Sequence, residues 1–164
     1  MDILDISLFF SILLSALVTG FILTYAIVIM PGLSNLDDKE FIKAFQVTDG
    51  IIQNNQPIFI LIWIGSIVSV LSTIITSILS LGILDAWLII FVGVVYLLVV
   101  QGITISIHLP LNKSIQNIDI NSSNSETLSK MRKTFETKWN YFNNVRTVVA
   151  FFVVLIFLLI LTIR

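Results

Sequence analysis

Three short sets of polar side chains interrupt an otherwise oily chain, and their types could handle a proton or an anion. Gln101, Thr104 and His108 recur at spacings of three and four, which puts them on one face of an α-helix. Trp139, Asn143 and Arg146 recur at four and three, again on one face, and Tyr25 lies a little over one turn from Met30 and Pro31. His108 is the only histidine, and an imidazole titrates close enough to neutrality to act as acid or base. Arg146 stands at the edge of an apolar run, where an ionisable group is costly and usually partnered. The bland alternative for it is snorkelling to the headgroups from a helix end. Pro110 is expected to stop the helix that carries His108, leaving Asn112 to cap its last carbonyls. All three sets fall at the same end of their helices, so they predict one wall or several of a shared polar chamber.

The elements that must position these residues follow from composition. The chain has 164 residues, 57% hydrophobic and 12% charged, with a mean hydropathy of +1.02. A soluble domain carries about 25% charged residues, so the class is an integral membrane protein in one domain, 1–164. Between Asp5 and Asp37 lie 31 residues without a formal charge, between Asp49 and Asp85 there are 35, between Asp85 and Lys113 there are 27, and Arg146 and Arg164 bracket 17. About 20 helical residues cross a hydrocarbon core of about 30 Å. The reading is therefore an all-α transmembrane four-helix bundle with spans at about 7–30, 57–81, 86–108 and 145–163. Arg146 and Arg164 would then snorkel towards the two interfaces.

Met30-Pro31-Gly32 is expected to end the first helix, and Gly82 with Asp85 to turn the second into the third. A short amphipathic helix is predicted between the first two spans, at about 36–53, capped by Asn35, with Phe41, Phe45, Thr48 and Ile52 on one stripe. It would lie on the membrane surface or fold under the bundle. Ser123 with Glu126 forms a capping-box pattern, so the fourth helix is expected to start in water, at about 124–144, and run on into lipid. Leu128, Met131, Phe135, Phe142, Val145 and Val149 sit on one stripe of three-and-four spacing, broken only by Lys138. The many serines and threonines of the second span are read as close helix packing, and the basic run near Lys130 as a solvated surface facing lipid headgroups.

Charge sets the expected orientation. The segments 31–56 and 109–146 hold eight of the nine basic side chains, and the opposite side holds Arg164 alone. Positive residues stay inside, so a multi-pass inner or plasma membrane protein with both termini outside is predicted, with loops 31–56 and 109–144 cytoplasmic. A net charge of −1 gives no support for nucleic-acid binding. Absence of cysteine excludes disulfides, thiolate metal sites and nucleophilic thiols. A metal centre is disfavoured because His108 has no second histidine and Asp49 and Asp85 are read as lying on different sides or outside the core. A homo-oligomer is left open, and a transporter is disfavoured by the lack of an acidic residue within a span.

The segments GFILTYAIVIMPGL, Phe45-Gln46, HLPLN from His108 to Asn112, and WNYFNNVR from Trp139 to Arg146 occur in that order. The ordered set resembles the anthrone oxygenase-like family, whose many bacterial members are four-helix membrane proteins. The resemblance implies oxidation of an anthrone-like or quinol-type aromatic by O2 with no bound cofactor. On that basis His108 is the expected base, Arg146 and Asn112 the groups that stabilise an oxyanion, and Tyr25, Gln101, Thr104, Trp139 and Asn143 the substrate-binding residues. The other reading is a non-enzymatic membrane protein whose chamber binds a lipid, a quinone or a partner helix. Membrane lipids and a hydrophobic small molecule are the partners both readings require.

Overall fold

The computed structural model describes residues 2–164, and among them there is no β-strand. Helix α1 (Ile3–Leu33) is opened by Asp2, whose carboxylate accepts from the Asp5 amide at 2.8 Å while its own amide donates back to Asp5. Helix α2 (Asp38–Gln53) follows, then α3 (Pro57–Leu81), α4 (Trp87–Gln116) and α5 (Ser125–Ile163). Helices α1, α3, α4 and α5 are each long and apolar enough to cross a membrane, so the chain is a multi-pass membrane protein. Their backbones satisfy themselves within each helix, which is the condition hydrocarbon imposes on any crossing segment.

Neither internal proline ends its helix. Proline at position i lacks an amide donor and its ring crowds the carbonyl four residues earlier. The chain relieves both with a widened, π-helical stretch just upstream: Tyr25–Ile29 before Pro31, and Thr104–His108 before Pro110. Helix α1 therefore runs on to Leu33, and α4 runs on to Gln116. Asn112 consequently sits inside α4 and caps nothing. A third π-helical stretch, Tyr96–Gln101, lies deeper in α4.

Three local expectations shift by a residue or two. Asp37, not Asn35, caps α2 by accepting from the Glu40 backbone amide at 2.8 Å, while the Asn35 side chain donates through Nδ2 to the Pro31 carbonyl near the end of α1. Asn124, not Ser123, caps α5 by accepting from the Thr127 amide at 2.8 Å. The inner stripe of α5 passes through Leu128, Phe135, Trp139, Asn143, Arg146, Ala150, Val153 and Phe157, and Met131 is exposed. The turn between α3 and α4 begins at Gly82, whose φ of 78° a side chain would strain.

Two apolar clusters result. One fills the transmembrane part, with Leu4, Leu8, Val70, Val92, Tyr96, Val153 and Phe157 at its centre. Hydroxyls knit α1 to α3 inside it: Ser7 with Thr76 and Ser11 with Thr73, each at 2.8 Å. Such small side chains allow the close approach that lipid-embedded helices need. The second cluster lies beyond the end of α1, where Phe41, Ile42 and Phe45 of α2 meet Ile115 of α4 and Leu128, Phe135 and Trp139 of α5. Helix α2 thus folds under the bundle. Arg132 fastens it, donating to the Leu36 and Ser34 carbonyls at 2.7 and 2.9 Å, pairing with Asp38 and Glu136 and lying over the Phe41 ring. One member of the basic run near Lys130 is therefore a buried-side clamp rather than a surface charge. At the opposite end Arg164 pairs with Asp2 and Asp5, joining the two ends of the chain instead of reaching for headgroups.

Candidate functional site

A cavity of about 480 Å³ opens between α1, α3, α4 and α5, and α2 closes one end of it. That volume suits a small flat ring system, since ligand sites run from about 300 to about 1,000 Å³. Its long walls are apolar: Leu17, Val18, Phe21 and Ile22 from α1, and Phe59, Ile60, Trp63 and Ile64 from α3. Leu17, Phe21 and Ile64 also face outward, at 47%, 37% and 48% exposure, so the cavity reaches the lipid-facing surface between α1 and α3. Its polar tips gather at the α2 end: Tyr25, Asp49, Thr104, His108, Asn112 and Arg146, with the Trp139 indole among them.

Trp139 organises these tips. The His108 ring stands edge-on to it with centroids 4.9 Å apart, and the Tyr25 ring lies 5.5 Å away. Its Nε1–H donates to Asn112 Oδ1 at 2.9 Å, and Asn112 Nδ2 donates in turn to Asp49 Oδ1 at 2.7 Å. Gln116 Nε2 donates to the other Asp49 oxygen at 3.2 Å. Asp49 is 2% exposed, and burial pushes its carboxyl above the usual range against the pull of those amide donors.

Arg146 lies on the same wall, 6% exposed, its guanidinium 5.8 Å from the Trp139 ring. Nε and Nη2 both donate to Asn143 Oδ1, at 3.0 and 2.9 Å, and Nη1 donates to Thr104 Oγ1 at 2.9 Å. Asn143 is anchored in turn by donating to the Ile22 carbonyl at 3.1 Å, just ahead of the first π-helical stretch. A guanidinium has five N–H donors, so these three bonds leave two of them free. Among the described residues no carboxylate lies within 4 Å of Arg146, and no basic nitrogen lies within 4 Å of Asp49. An ion pair at 4 Å would gain about 4 kcal/mol at an effective dielectric of about 20, yet the neutral clamps hold these two charges apart.

His108 is 2% exposed, and neither ring nitrogen makes a hydrogen bond of good geometry among the described residues, although the Phe142 backbone lies close enough to act on the ring. A buried polar atom left unpaired costs roughly 1–3 kcal/mol. An uncommitted imidazole beside an uncompensated guanidinium, both at the closed end of an oily slot, is an arrangement suited to taking a proton and holding the negative charge that remains.

Of the residues singled out from spacing, Tyr25, Thr104, His108, Asn112, Trp139 and Arg146 all line this cavity. Asn143 stands behind Arg146 and orients it. Gln101 does not line the cavity. Its amide accepts from Trp63 Nε1 at 2.7 Å and donates to the Tyr96 hydroxyl at 2.9 Å, which donates to Ser66. The extra residue per turn in the π-helical stretch turns it out of register with Thr104 and His108. It fixes Trp63, which is a wall of the slot. Asp49 and Asp85 are expected on different sides or outside the core; the structure puts Asp49 at the α2 end, buried against the cavity, and Asp85 in the turn between α3 and α4. Phe41, Phe45 and Asp49 follow each other at intervals of four, so a carboxylate continuing an aromatic stripe was the signal to read.

The profile of the family described as anthrone oxygenase matches residues 53–156. The chain belongs to the anthrone oxygenase family. Comparison with curated proteins and with solved structures gave no match. The matched region of this family member carries His108, Asn112, Trp139, Asn143 and Arg146; Tyr25 and Asp49 come to the cavity from outside it.

Proposed function

We propose that the cavity binds a flat, hydrophobic aromatic substrate and oxidises it with O2 without a bound cofactor. The observation that carries this reading is the His108 imidazole without a hydrogen-bond partner beside the Arg146 guanidinium without a carboxylate partner, at the closed end of one apolar slot. In an anthrone the reacting carbon is a methylene between two aryl rings, conjugated to a ketone. His108 takes one methylene proton as general base. The electrons left behind delocalise onto the ketone oxygen, where Arg146 meets the growing negative charge with its free N–H groups. The electron-rich anion then reacts with O2 at the former methylene carbon, and the peroxide formed loses water as His108 returns its proton. The sum is CH2 plus O2 giving C=O plus H2O, which balances with no other reductant.

Asn112 keeps Trp139 and Asp49 in place, and Tyr25 and Trp139 supply the ring-stacking walls. The substrate enters from the lipid between α1 and α3, because that is where the slot reaches the exterior. Basic residues crowd the α2 end, which supports both termini outside and the polar tips near the cytoplasmic leaflet. An impermeant thiol reagent labelling Ser123→Cys in intact cells would reverse that orientation.

The decisive experiment is oxygen uptake in proteoliposomes supplied with anthrone or a naphthoquinol. The expected result is uptake above that of empty vesicles, with anthraquinone formed in equal amount from anthrone. Uptake at the empty-vesicle rate, together with saturable anthraquinone binding, would favour a non-enzymatic binding protein instead.

A further inference from the structure

We propose that Gln101, Tyr96 and Ser66 form a lock that holds the Trp63 indole as a rigid wall of the slot. That rigidity makes the cavity select by shape, admitting flat ring systems and rejecting folded ones of similar size. Gln101 is thus a positioning residue that acts through Trp63. The shape selection rests on reading the cavity as a ligand site; the lock itself does not.

Four hydrogen bonds run in one direction and close on the residue where they start. Trp63 Nε1–H donates to Gln101 Oε1 at 2.7 Å, and Gln101 Nε2 donates to the Tyr96 hydroxyl at 2.9 Å. That hydroxyl donates to Ser66 Oγ at 2.9 Å, and Ser66 donates to the Trp63 carbonyl at 2.7 Å. The indole is therefore held from α4 at its ring nitrogen and tied back to its own backbone through Ser66. Tyr96 and Gln101 are five residues apart, and a regular α-helix would turn them about 140° away from each other. The π-helical stretch Tyr96–Gln101 widens the turn and brings them onto one face. Such stretches are rare and gather at functional sites.

Of these four residues only Trp63 lines the cavity. Gln101, Tyr96 and Ser66 are 3%, 0% and 0% exposed, and none of them reaches the slot. Side chains serving only to join α3 to α4 would need no member in the cavity wall, whereas this ring begins and ends on one. The slot opens to lipid, so no packed neighbour on that side fixes the indole. Rotation away from Gln101 would strand the indole N–H and the buried amide oxygen together, and that cost keeps the ring in one orientation. With its N–H already taken, Trp63 offers the slot an apolar face and no donor.

The test uses full-length protein carrying 5-fluorotryptophan in detergent micelles, followed by fluorine NMR. The chain has three tryptophans, so three signals are expected, assigned with Trp63→Phe and Trp87→Phe. Gln101→Leu should shift and broaden the Trp63 signal and leave the Trp87 and Trp139 signals in place. Gln101→Glu should restore it, because a buried, protonated carboxyl keeps one acceptor and one donor. Tyr96→Phe, which removes one oxygen outside the cavity, should broaden the same signal more weakly. Binding is read from movement of that signal on titration with anthraquinone, which is flat, and with dibenzosuberone, an aryl ketone whose central ring folds the two aryl planes. The native protein should prefer anthraquinone. Gln101→Leu should cut that preference about fivefold, the factor expected from one neutral hydrogen bond, and Gln101→Glu should recover it. A Trp63 signal unchanged in both Gln101→Leu and Tyr96→Phe would overturn the lock. Equal affinity of the native protein for the two ketones would overturn the shape selection, and this arm needs no variant to fold. A loosened indole with the preference intact would do the same. Binding of neither ketone would sink the ligand-site reading and the shape selection with it, while the lock stands or falls by the Trp63 signal.

Discussion

Arg146→Met tests the oxyanion role most directly, because it removes the guanidinium and keeps much of its volume. The substitution removes three hydrogen bonds, two to Asn143 and one to Thr104, and strands the Asn143 carbonyl oxygen. Hydrogen bonds to a charged group contribute about 1.5–3 kcal/mol each, so their loss alone would be severe. Against this, the variant no longer buries a cation that has no carboxylate within 4 Å. Insertion scales put a charge at membrane depth at about 2.5–3.5 kcal/mol, and the variant is relieved of that cost. Three such bonds come to about 4.5–9 kcal/mol, which exceeds the recovered cost of about 2.5–3.5 kcal/mol, so the melting temperature should fall, and activity is compared at a temperature where both proteins stay folded. Catalysis has no such offset. Loss of one preorganised oxyanion donor slows a reaction by about 10²–10³, or about 2.7–4 kcal/mol in the barrier. The assay is oxygen uptake with anthrone in proteoliposomes, run beside thermal unfolding in detergent. Uptake within about threefold of native would refute the oxyanion role. Loss of activity only at temperatures where the variant is already unfolded would show that Arg146 is chiefly a packing element.

Three further outcomes follow from the same geometry. Asn112→Leu strands the buried Trp139 Nε1–H and loosens Asp49, so it should destabilise the protein by about 1–3 kcal/mol and alter the tryptophan emission, both measurable during thermal unfolding. Asp49 has a folded-state pKa raised by burial, so it favours the fold when protonated; that contribution is present below the ordinary carboxylate value and is lost as pH rises through the raised one. Melting temperature should therefore decline across that window in the native protein, and Asp49→Asn should flatten the decline. Ile64→Trp narrows the mouth between α1 and α3 at a half-exposed position, so it should slow uptake of a bilayer-dissolved substrate several-fold without a change in melting temperature. Unchanged kinetics would place the entrance elsewhere.

The helices were legible because crossing a membrane is a local property. Runs without charge, longer than about 20 residues, have few other solutions. The two polar stripes were legible for a related reason, since spacings of three and four assign residues to a face wherever the helix is regular. That rule failed where the helix is irregular. Gln101 shares a face with Thr104 and His108 on an ideal helix, and the π-helical turns around it rotate it into the contact with Trp63 and Tyr96. Pro31 and Pro110 read as stops because the penalty for proline is local, whereas its relief by a widened turn depends on what the neighbouring helices tolerate. Asp49 falls within the amphipathic helix predicted at about 36–53, and spacing alone does not say that its carboxylate is buried. Only the packing of α2 against α4 and α5 reveals that its buried face includes a carboxylate.

The sequence by itself determined that four segments must leave water, and which polar residues would travel into the membrane with them. These outcomes depend on hydration free energies that each stretch of chain carries wherever it lies. Tertiary structure decided which of those polar groups are answered and which are left open. Asn143 answers Arg146 from the same helix, Asn112 and Gln116 answer Asp49 from another, and nothing among the described residues answers His108. Satisfaction of a buried polar atom is a matter of a few tenths of an ångström between elements far apart in the chain, and no linear pattern encodes it.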